Sequence, residues 1–355
     1  MYYYDMLETF KYDIRQSWKI IRQAINTRSN YMHNDCFTIN GITITDPSLI
    51  AQKFNEYFVN IGTSLASKIP DTNTSFMSFL KGDYKNSFVL YETDCNELIS
   101  ITKCLPSKKS TGFDNIPMDI VKLSLPHITA CLCKIINNSF NYGKVPDLLK
   151  ISKVCPVFKK GNRSDISNYR PISVLPCFSK IFEKLVYNRL VNYLDKYSVL
   201  YEKQYGFRAK HSTSMAVIEM VDKITEALDN KQYSIGIFVD LSKAFDTLNH
   251  NILLEKLQYY GIRGIAFNWF KSYLENRRQY TVYNGASSNY LYVKCGVPQG
   301  SILGPILFLL YINDIVHVSQ ILHLILFADD TNIFVSHPNI QTLIQLVNNE
   351  LLALN

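Results

Sequence analysis

The chain has 355 residues, 47% hydrophobic and 19% charged, which is enough apolar material for two or three domains and excludes a disordered protein. Its net charge of +7 is a mild excess that alone gives only a weak pointer to a polyanionic partner. Eight cysteines without framework spacing, no C-x-x-C pair and no basic-then-apolar start argue against a disulfide scaffold, a structural zinc site and a secretory leader. The expectation is free thiols in a reducing compartment. The most apolar region, 302–328, is broken by Asn313, Asp314 and His317, so neither half spans a bilayer and no membrane is expected.

Residues 1–30 carry a helical period through Leu7, Phe10, Ile14, Trp18, Ile21 and Ile25, and 31–46 are polar and β-like. Asp46-Pro47 opens a helix with Ile50, Phe54, Phe58 and Ile61 on one face. Residues 70–86 read as a loose linker, and Thr93-Asp94 starts a helix that ends near Pro106. After a polar loop at 108–114, one helix is expected from Pro117 through Leu125 and a separate one from about His127 to Tyr142, stopped by Gly143. Residues 154–161 and 168–174 form the two strands of a basic hairpin. The next helix has Phe178, Ile181, Phe182, Leu185, Leu190 and Leu194 on its apolar face, with Lys180, Lys184, Asn188, Arg189 and Lys196 outside it. A polar loop, Glu202 to Thr213, leads to a helix from Met215 to Leu228 with Val217, Met220, Val221, Ile224 and Leu228 at core spacing.

A strand at 234–240 then places Gly236, Phe238 and Asp240 on one face, Asp240 at its end. Two helices follow at about 249–260 and 265–276, then a hairpin around Asn284-Gly285. The turn Gly296-Val297-Pro298-Gln299-Gly300-Ser301 precedes an apolar helix, Ile302 to Ile312. An apolar run ending at Ala328, the pair Asp329-Asp330, Thr331-Asn332 and the run Ile333-Phe334-Val335 read as a hairpin with carboxylates at its tip. An amphipathic helix from Ile340 closes the sequence.

Adjacent carboxylates on a buried hairpin repel each other and lose hydration, a cost that a cation relieves. For a bare Asp-Asp pair an ordinary acidic turn is the default. Asp240, at the end of a second strand, shifts that balance. Carboxylates from two strands can hold two Mg²⁺ ions roughly 3.5–4 Å apart, an arrangement suited to in-line displacement at phosphorus. Mg²⁺ takes hard oxygen ligands and keeps waters and phosphates in its shell, so few protein ligands are needed. Lys159 and Arg170 on the basic hairpin are suited to a triphosphate.

Six strings then occur in a family's order: "STGFDNIP" from Ser110, "VCPVFKKGNRSDISNYRPISVLPCFSKIFEKL" from Val154, "QYGFRAKHST" from Gln204, "FVDLSKAFDTLNH" from Phe238, "GVPQGSILGPILFLLYIND" from Gly296 and "FADDTNIF" from Phe327. With them the chain resembles the reverse transcriptase domain of non-LTR retrotransposons, of the jockey/CR1 type of LINE. "FNEYFVNIG" from Phe54 is similar to the segment preceding that polymerase. The forms "FVDLSKAFDTLNH" and "NYRPISVLP" disfavour a group II intron-type maturase.

The resemblance implies an α+β fold with right-hand fingers and palm, the palm ferredoxin-like and carrying the catalytic Asp-Asp hairpin. Residues 1–92 would be a helical extension, 93–233 the fingers region and 234–355 the palm. It implies Asp240 and Asp329 as metal ligands with the Leu241 carbonyl, and Asp330 as a third, supporting carboxylate. Two Mg²⁺ ions, or Mn²⁺ in their place, are the implied cofactors. Lys159 and Arg170 match a triphosphate clamp, Phe245 a steric gate that selects dNTPs, and Gln299 and Gly300 the turn beside the templating base and nucleotide. Arg208 and Lys210 are template-backbone candidates for which a plain surface loop is an equal alternative. Lys160 and Arg163 are read as solvated charges, His211 and His250 as structural. The implied partners are an RNA template, a DNA primer and dNTPs. The implied location is intracellular, with nuclear action and a cytoplasmic ribonucleoprotein both compatible. Only 25 residues follow Asp330 and nothing resembles the family's upstream endonuclease, so the expectation is a fragment without the thumb. A non-catalytic nucleic-acid-binding remnant is the alternative function.

Overall fold

The computed structural model describes residues 2–10, 13, 16–18, 20–21, 36–39, 41–69 and 75–354. Helix α1 (Tyr2–Thr9) forms where the period predicts it. Phe10 and Trp18 are nevertheless exposed, and Ile14 and Ile25 lie outside the described residues. Strands β1 (Phe37–Ile39) and β2 (Ile42–Ile44) pair antiparallel. In α2 (Pro47–Ala66) Asp46 caps the start by accepting from Ser48 N and Leu49 N, with proline in the first turn. This helix buries Ile50, Phe54 and Phe58 as expected. Phe54 lies 5.1 Å from Phe37, 5.0 Å from Tyr169 and 5.5 Å from Tyr283, ring centre to ring centre. This packing, edge-on toward Phe37 and Tyr169, backs the basic hairpin with an N-terminal aromatic layer.

The main core is helical. It joins α3 (Cys95–Cys104), α4 (Met118–Tyr142) and α5 (Cys177–Lys196) with three later helices. Two expectations fail here. The segments 117–125 and 127–142 form the single helix α4, with Pro126 inside it. An interior proline costs about 3 kcal/mol. Val121, Leu125, Leu132 and Ile136 are buried on both sides of it, and that continuous apolar face outweighs the lost bond. Arg189 also points inward. Its guanidinium forks onto Glu97 of α3 at 2.9 and 2.8 Å and donates to the carbonyls of Tyr91 and Glu92. A helical wheel places an arginine outside; a carboxylate from another helix brings this one in.

The linker at 70–86 is less loose than expected where it is described. Its Phe76–Phe79 turn is followed by Gly82 and Tyr84, whose carbonyls take bonds from Tyr259 (2.6 Å) and Arg263 (2.8 Å).

Strands β3 (Ile151–Phe158) and β4 (Tyr169–Val174) form the expected hairpin. After them α6 (Thr213–Asp229) departs from expectation: Val217, Val221, Ile224 and Leu228 are exposed, and only Ala216 and Ala227 are buried. The helix meets a sheet through Ala216 and the half-buried Met220, which keeps its expected inward place, while the other large apolar residues face outward.

That sheet contains β5 (Tyr233–Asp240), β9 (His323–Phe327) and β10 (Asp330–His337), in the order β5-β10-β9, all antiparallel. Between β5 and β9 the chain forms α7 (His250–Tyr259), α8 (Gly264–Leu274), β6 (Arg278–Tyr283), β7 (Ala286–Ser287), β8 (Leu291–Tyr292) and α9 (Leu303–Ile312). β6 joins β3 in parallel, extending the hairpin into a second sheet. β9 (His323–Phe327) and β10 (Asp330–His337) then close the first sheet, and α10 (Ile340–Leu354) covers one side of it. Ile235, Ile237, Val239, Leu324, Leu326, Ile333 and Val335 pack there against Leu343 and Val347. The other side is closed by Ala216 and Met220 over Ile325 and Phe334, with Tyr205 and Phe327 beside them, and Phe238 stays 68% exposed. No disulfide links the described cysteines, and no described helix is long and apolar enough to cross a membrane.

Candidate active site

The ladder places Asp330 directly across from Asp240, so both carboxylates share the open side of the sheet with Phe238 and Asn332. Asp329 sits in the connecting turn beside Ala328, whose φ is 57°. The loop before α6 holds this tip. Tyr205 N donates to Leu326 O (2.8 Å) and Leu326 N to Lys203 O (3.0 Å). The buried Gln204 accepts from Ala328 N (3.0 Å) and Gly206 N (2.9 Å) through Oε1. Gly206 approaches so closely that a Cβ there would collide with the Ala328 nitrogen. Sequence reading named Gln204 and gave it no role; its place in the "QYGFR" string was the available signal.

The tip is less buried than expected. Asp240 and Asp330 are exposed and Asp329 is half-buried, because α6 leaves this end of the sheet open. Partial burial, then the charges of Asp329 and Asp240, push the Asp330 carboxyl above its usual range. Among the described residues no group of three or more His, Cys, Asp and Glu side chains forms a ready metal cage. The donor set still fits a hard divalent cation: carboxylates that repel one another at an open edge, where water and phosphate can supply the other ligands. A groove of about 380 Å³ adjoins them, lined by Ala216, Val217, Met220, Phe238, Ile325 and Asn332 among others.

The turn after β5 meets the Pro-Gln-Gly turn along its length. Val297 N donates to Phe245 O (2.9 Å), Gly296 N to Leu248 O (2.8 Å), and His250 Nε2 to Gly296 O (2.7 Å). Gln299 Nε2 donates to both oxygens of Asp246, each at 2.8 Å. Burial pushes the Asp246 carboxyl up to about 6, against bonds from Gln299 and the charge of Lys243 that pull it down. On the other side Ser173 N donates to Gln299 O (2.8 Å). Gly300 has φ 128° and lies so close to the Ser173 carbonyl that a Cβ would collide with it. The buried Glu183 of α5 accepts from Ile302 N (2.6 Å) and Tyr273 Oη (2.8 Å), capping the entry to α9. The Phe245 ring is half-buried, 4.8 Å from Phe308 and 6.0 Å from Phe207.

Lys159 and Arg170 are exposed at the tip end of the β3–β4 hairpin. Lys243, which sequence reading passed over, lies against the same hairpin, its Nζ 3.4 Å from Ser167 O. Burial lowers its pKa, Lys159 and Arg170 lower it further, and Asp246 opposes them. Three cations thus gather beside the end of β5. The two loop candidates differ. Arg208 is tied to its own loop through Tyr201 O (2.8 Å), while Lys210 is exposed. The Arg163 guanidinium lies over the Phe158 ring at 4.6 Å, and Lys160 is exposed. His211 bonds locally to Ala209 O.

Residues 157–354, more than half of the chain, match the family described as reverse transcriptase (RNA-dependent DNA polymerase), and the chain belongs to that family. Its mixed helix and strand content accords with such a domain. The chain is 31% identical over 237 residues to the RNA-directed DNA polymerase from mobile element jockey of Drosophila melanogaster, covering 66% of this chain and 26% of that protein. It is 37% identical over 229 residues to the probable RNA-directed DNA polymerase from transposon X-element of the same fly, covering 63% and 25%. Over 226 residues it is 33% identical to the probable RNA-directed DNA polymerase from transposon BS, covering 62% and 24%. These likenesses identify the domain as one of the non-LTR retrotransposon kind. The chain spans about a quarter of the length of these curated relatives.

Proposed function

We propose that this chain carries the nucleotide-adding core of an RNA-directed DNA polymerase, extending a DNA primer on an RNA template with dNTPs. The observation that carries this reading is the register of Asp240 with Asp330, with Asp329 in the turn between strands, on a sheet side left open beside three gathered cations. In this reading 93–233 is the fingers region and 234–355 the palm of a right-hand polymerase, with 1–92 as an N-terminal extension whose Phe37, Phe54 and Phe58 pack behind the fingers hairpin.

Asp240 and Asp329, with the Leu241 carbonyl, would hold two Mg²⁺ ions, and Asp330 would support them. When bound, such ions activate the primer hydroxyl and stabilise charge on the leaving group. The primer 3′-oxygen forms a bond to the α-phosphorus as the bond to the bridging oxygen breaks, releasing pyrophosphate. Lys159 and Arg170 neutralise the triphosphate, and Arg170 can grip it through two bonds. Phe245, wedged between Phe207 and Phe308, cannot retreat from a 2′-hydroxyl, which favours deoxynucleotides. Gln299 and Gly300 line the nucleotide side. Lys210 is the better placed of the two template candidates, since Arg208 is engaged within its loop. Action inside the cell, at chromosomal DNA, goes with this reading.

The test is primer extension on an RNA template with dNTPs and Mg²⁺. Incorporation should disappear in Asp240→Asn and in Asp329→Ala. Signal that survives either substitution sinks the mechanism.

A further inference from the structure

Asp246 lies six residues beyond Asp240 and is given no part in the chemistry above. Its carboxylate faces the Gln299 side chain, and the two are 53 residues apart in the chain. A carboxylate only accepts, so the group facing it must donate. The Gln299 amide therefore has one orientation: Nε2 turned to Asp246, with 2.8 Å to each oxygen, and Oε1 turned away. The backbone around it is fixed independently, by Ser173 N on Gln299 O and by Val297 N on Phe245 O. Gln299 Oε1 accepts no protein hydrogen bond among the described residues.

We propose that Asp246 is a positioning residue that sets the polarity of Gln299, so that the turn presents a hydrogen-bond acceptor to the incoming nucleotide. This rests on the reading of the site as a nucleotide-adding centre and sharpens it. A carbonyl oxygen turned away from Asp246 and free of protein donors repels phosphate oxygens and attracts N–H or O–H donors. Gln299 thus addresses the sugar or base of the nucleotide, and the triphosphate is left to Lys159, Arg170 and Lys243. Lys243 lies on the same turn as Asp246, whose amide donates to the Lys243 carbonyl (2.8 Å). The one turn therefore divides the nucleotide into a phosphate side and a sugar–base side.

Two measurements test this on the whole chain. In the first, glutamine side chains are labelled with ¹⁵N and the Gln299 amide is assigned by its disappearance in Gln299→Ala. Its two protons should resonate away from solvent-exposed glutamines and move to the exposed position in Asp246→Ala. An amide that is already at the exposed position, or that Asp246→Ala leaves in place, overturns the coupling. Adding a dideoxy-terminated primer on RNA template, Mg²⁺ and the next complementary dNTP should shift that amide; no shift overturns its contact with nucleotide. In the second, primer extension is followed against dNTP concentration. Gln299→Ala and Asp246→Asn should each raise KM about tenfold with kcat changed less, and the double variant should be no worse than Gln299→Ala alone. Asp246→Glu should restore part of the loss. Effects that multiply in the double variant refute the positioning role. A silent Gln299→Ala with the amide coupling intact instead refutes the placement of Gln299 at the nucleotide.

Discussion

Replacing Asp246 with Asn should stabilise the fold near neutral pH while it weakens the site. The Asp246 carboxyl ordinarily titrates near 3.8, and burial pushes it up to about 6. At pH 7 the folded chain therefore holds an ionised group that it would hold more easily protonated. A difference of about two pKa units corresponds to ~3 kcal/mol. The folded state binds the extra proton between the two values, so this contribution to stability is complete below pH 4, is lost as pH rises through 6, and stays lost above. An asparagine side chain at this position keeps the shape and one acceptor oxygen without the charge. It gives up one of the two bonds from Gln299, a loss of ~1 kcal/mol. The net gain for Asp246→Asn is then ~2 kcal/mol at pH 7, and it shrinks and reverses toward pH 4. Urea denaturation of both chains at unit steps from pH 4 to pH 8, extrapolated linearly to water, measures the difference. A difference that does not vary with pH would refute the reasoning, as would a variant less stable than the parent at pH 7.

The Arg189–Glu97 pair should be asymmetric: Glu97→Ala leaves a guanidinium with 0% exposure uncompensated and costs about 3–5 kcal/mol, whereas Arg189→Met, which removes the charge and fills the space, costs less by the same urea assay. Although burial pushes Glu97 up, bonds from Arg189 and Thr93 win and hold its pKa below the usual range, so the parent should lose this contribution as pH falls below the ordinary glutamate range while Glu97→Gln does not. Gly300→Ala should abolish nucleotide addition while near-ultraviolet circular dichroism stays that of the parent, because the collision with the Ser173 carbonyl displaces only the turn; full activity would show that the turn need not dock on β4. Phe245→Val should raise ribonucleotide use relative to deoxynucleotide use in primer extension, and an unchanged ratio rejects the gate.

The hairpins were legible because each is an apolar strand, a polar turn and a second strand; the pairing of β5 with β10, which sets Asp330 across from Asp240, was not. What escaped the sequence is contact between distant residues. Arg189 turns inward because Glu97, 92 residues away, meets it. Asp246 acquires its burial and its partner from a turn 53 residues on. The outward face of α6 shows a different limit: Val217, Val221 and Leu228 have core spacing, and spacing cannot distinguish a covered face from an open one. Pro126 misled for a third reason. A local rule that ends helices gave way to burial of residues on both sides of it.

The chemistry of the open side is set by the residues of the closed side. Ile235, Ile237 and Val239 pack against α10, and strict alternation sends Gly236, Phe238 and Asp240 to the opposite side. A slip of one residue in β5 would bury Asp240 against Leu343 and Val347 and expose Val239 in its place. The carboxylate is thus aimed by hydrophobic contacts on the other side of the sheet. Asp329, beyond the ladder, has no such guarantee, and its turn carries the positive φ of Ala328. Gln204 supplies what the ladder cannot, an acceptor for the Ala328 N–H, from a buried side chain on a loop that runs along β9. Alternation along one strand aims the first carboxylate and is legible in the sequence; the bond that holds the turn beside the second joins residues 124 apart in the chain, and only the structure brings them together.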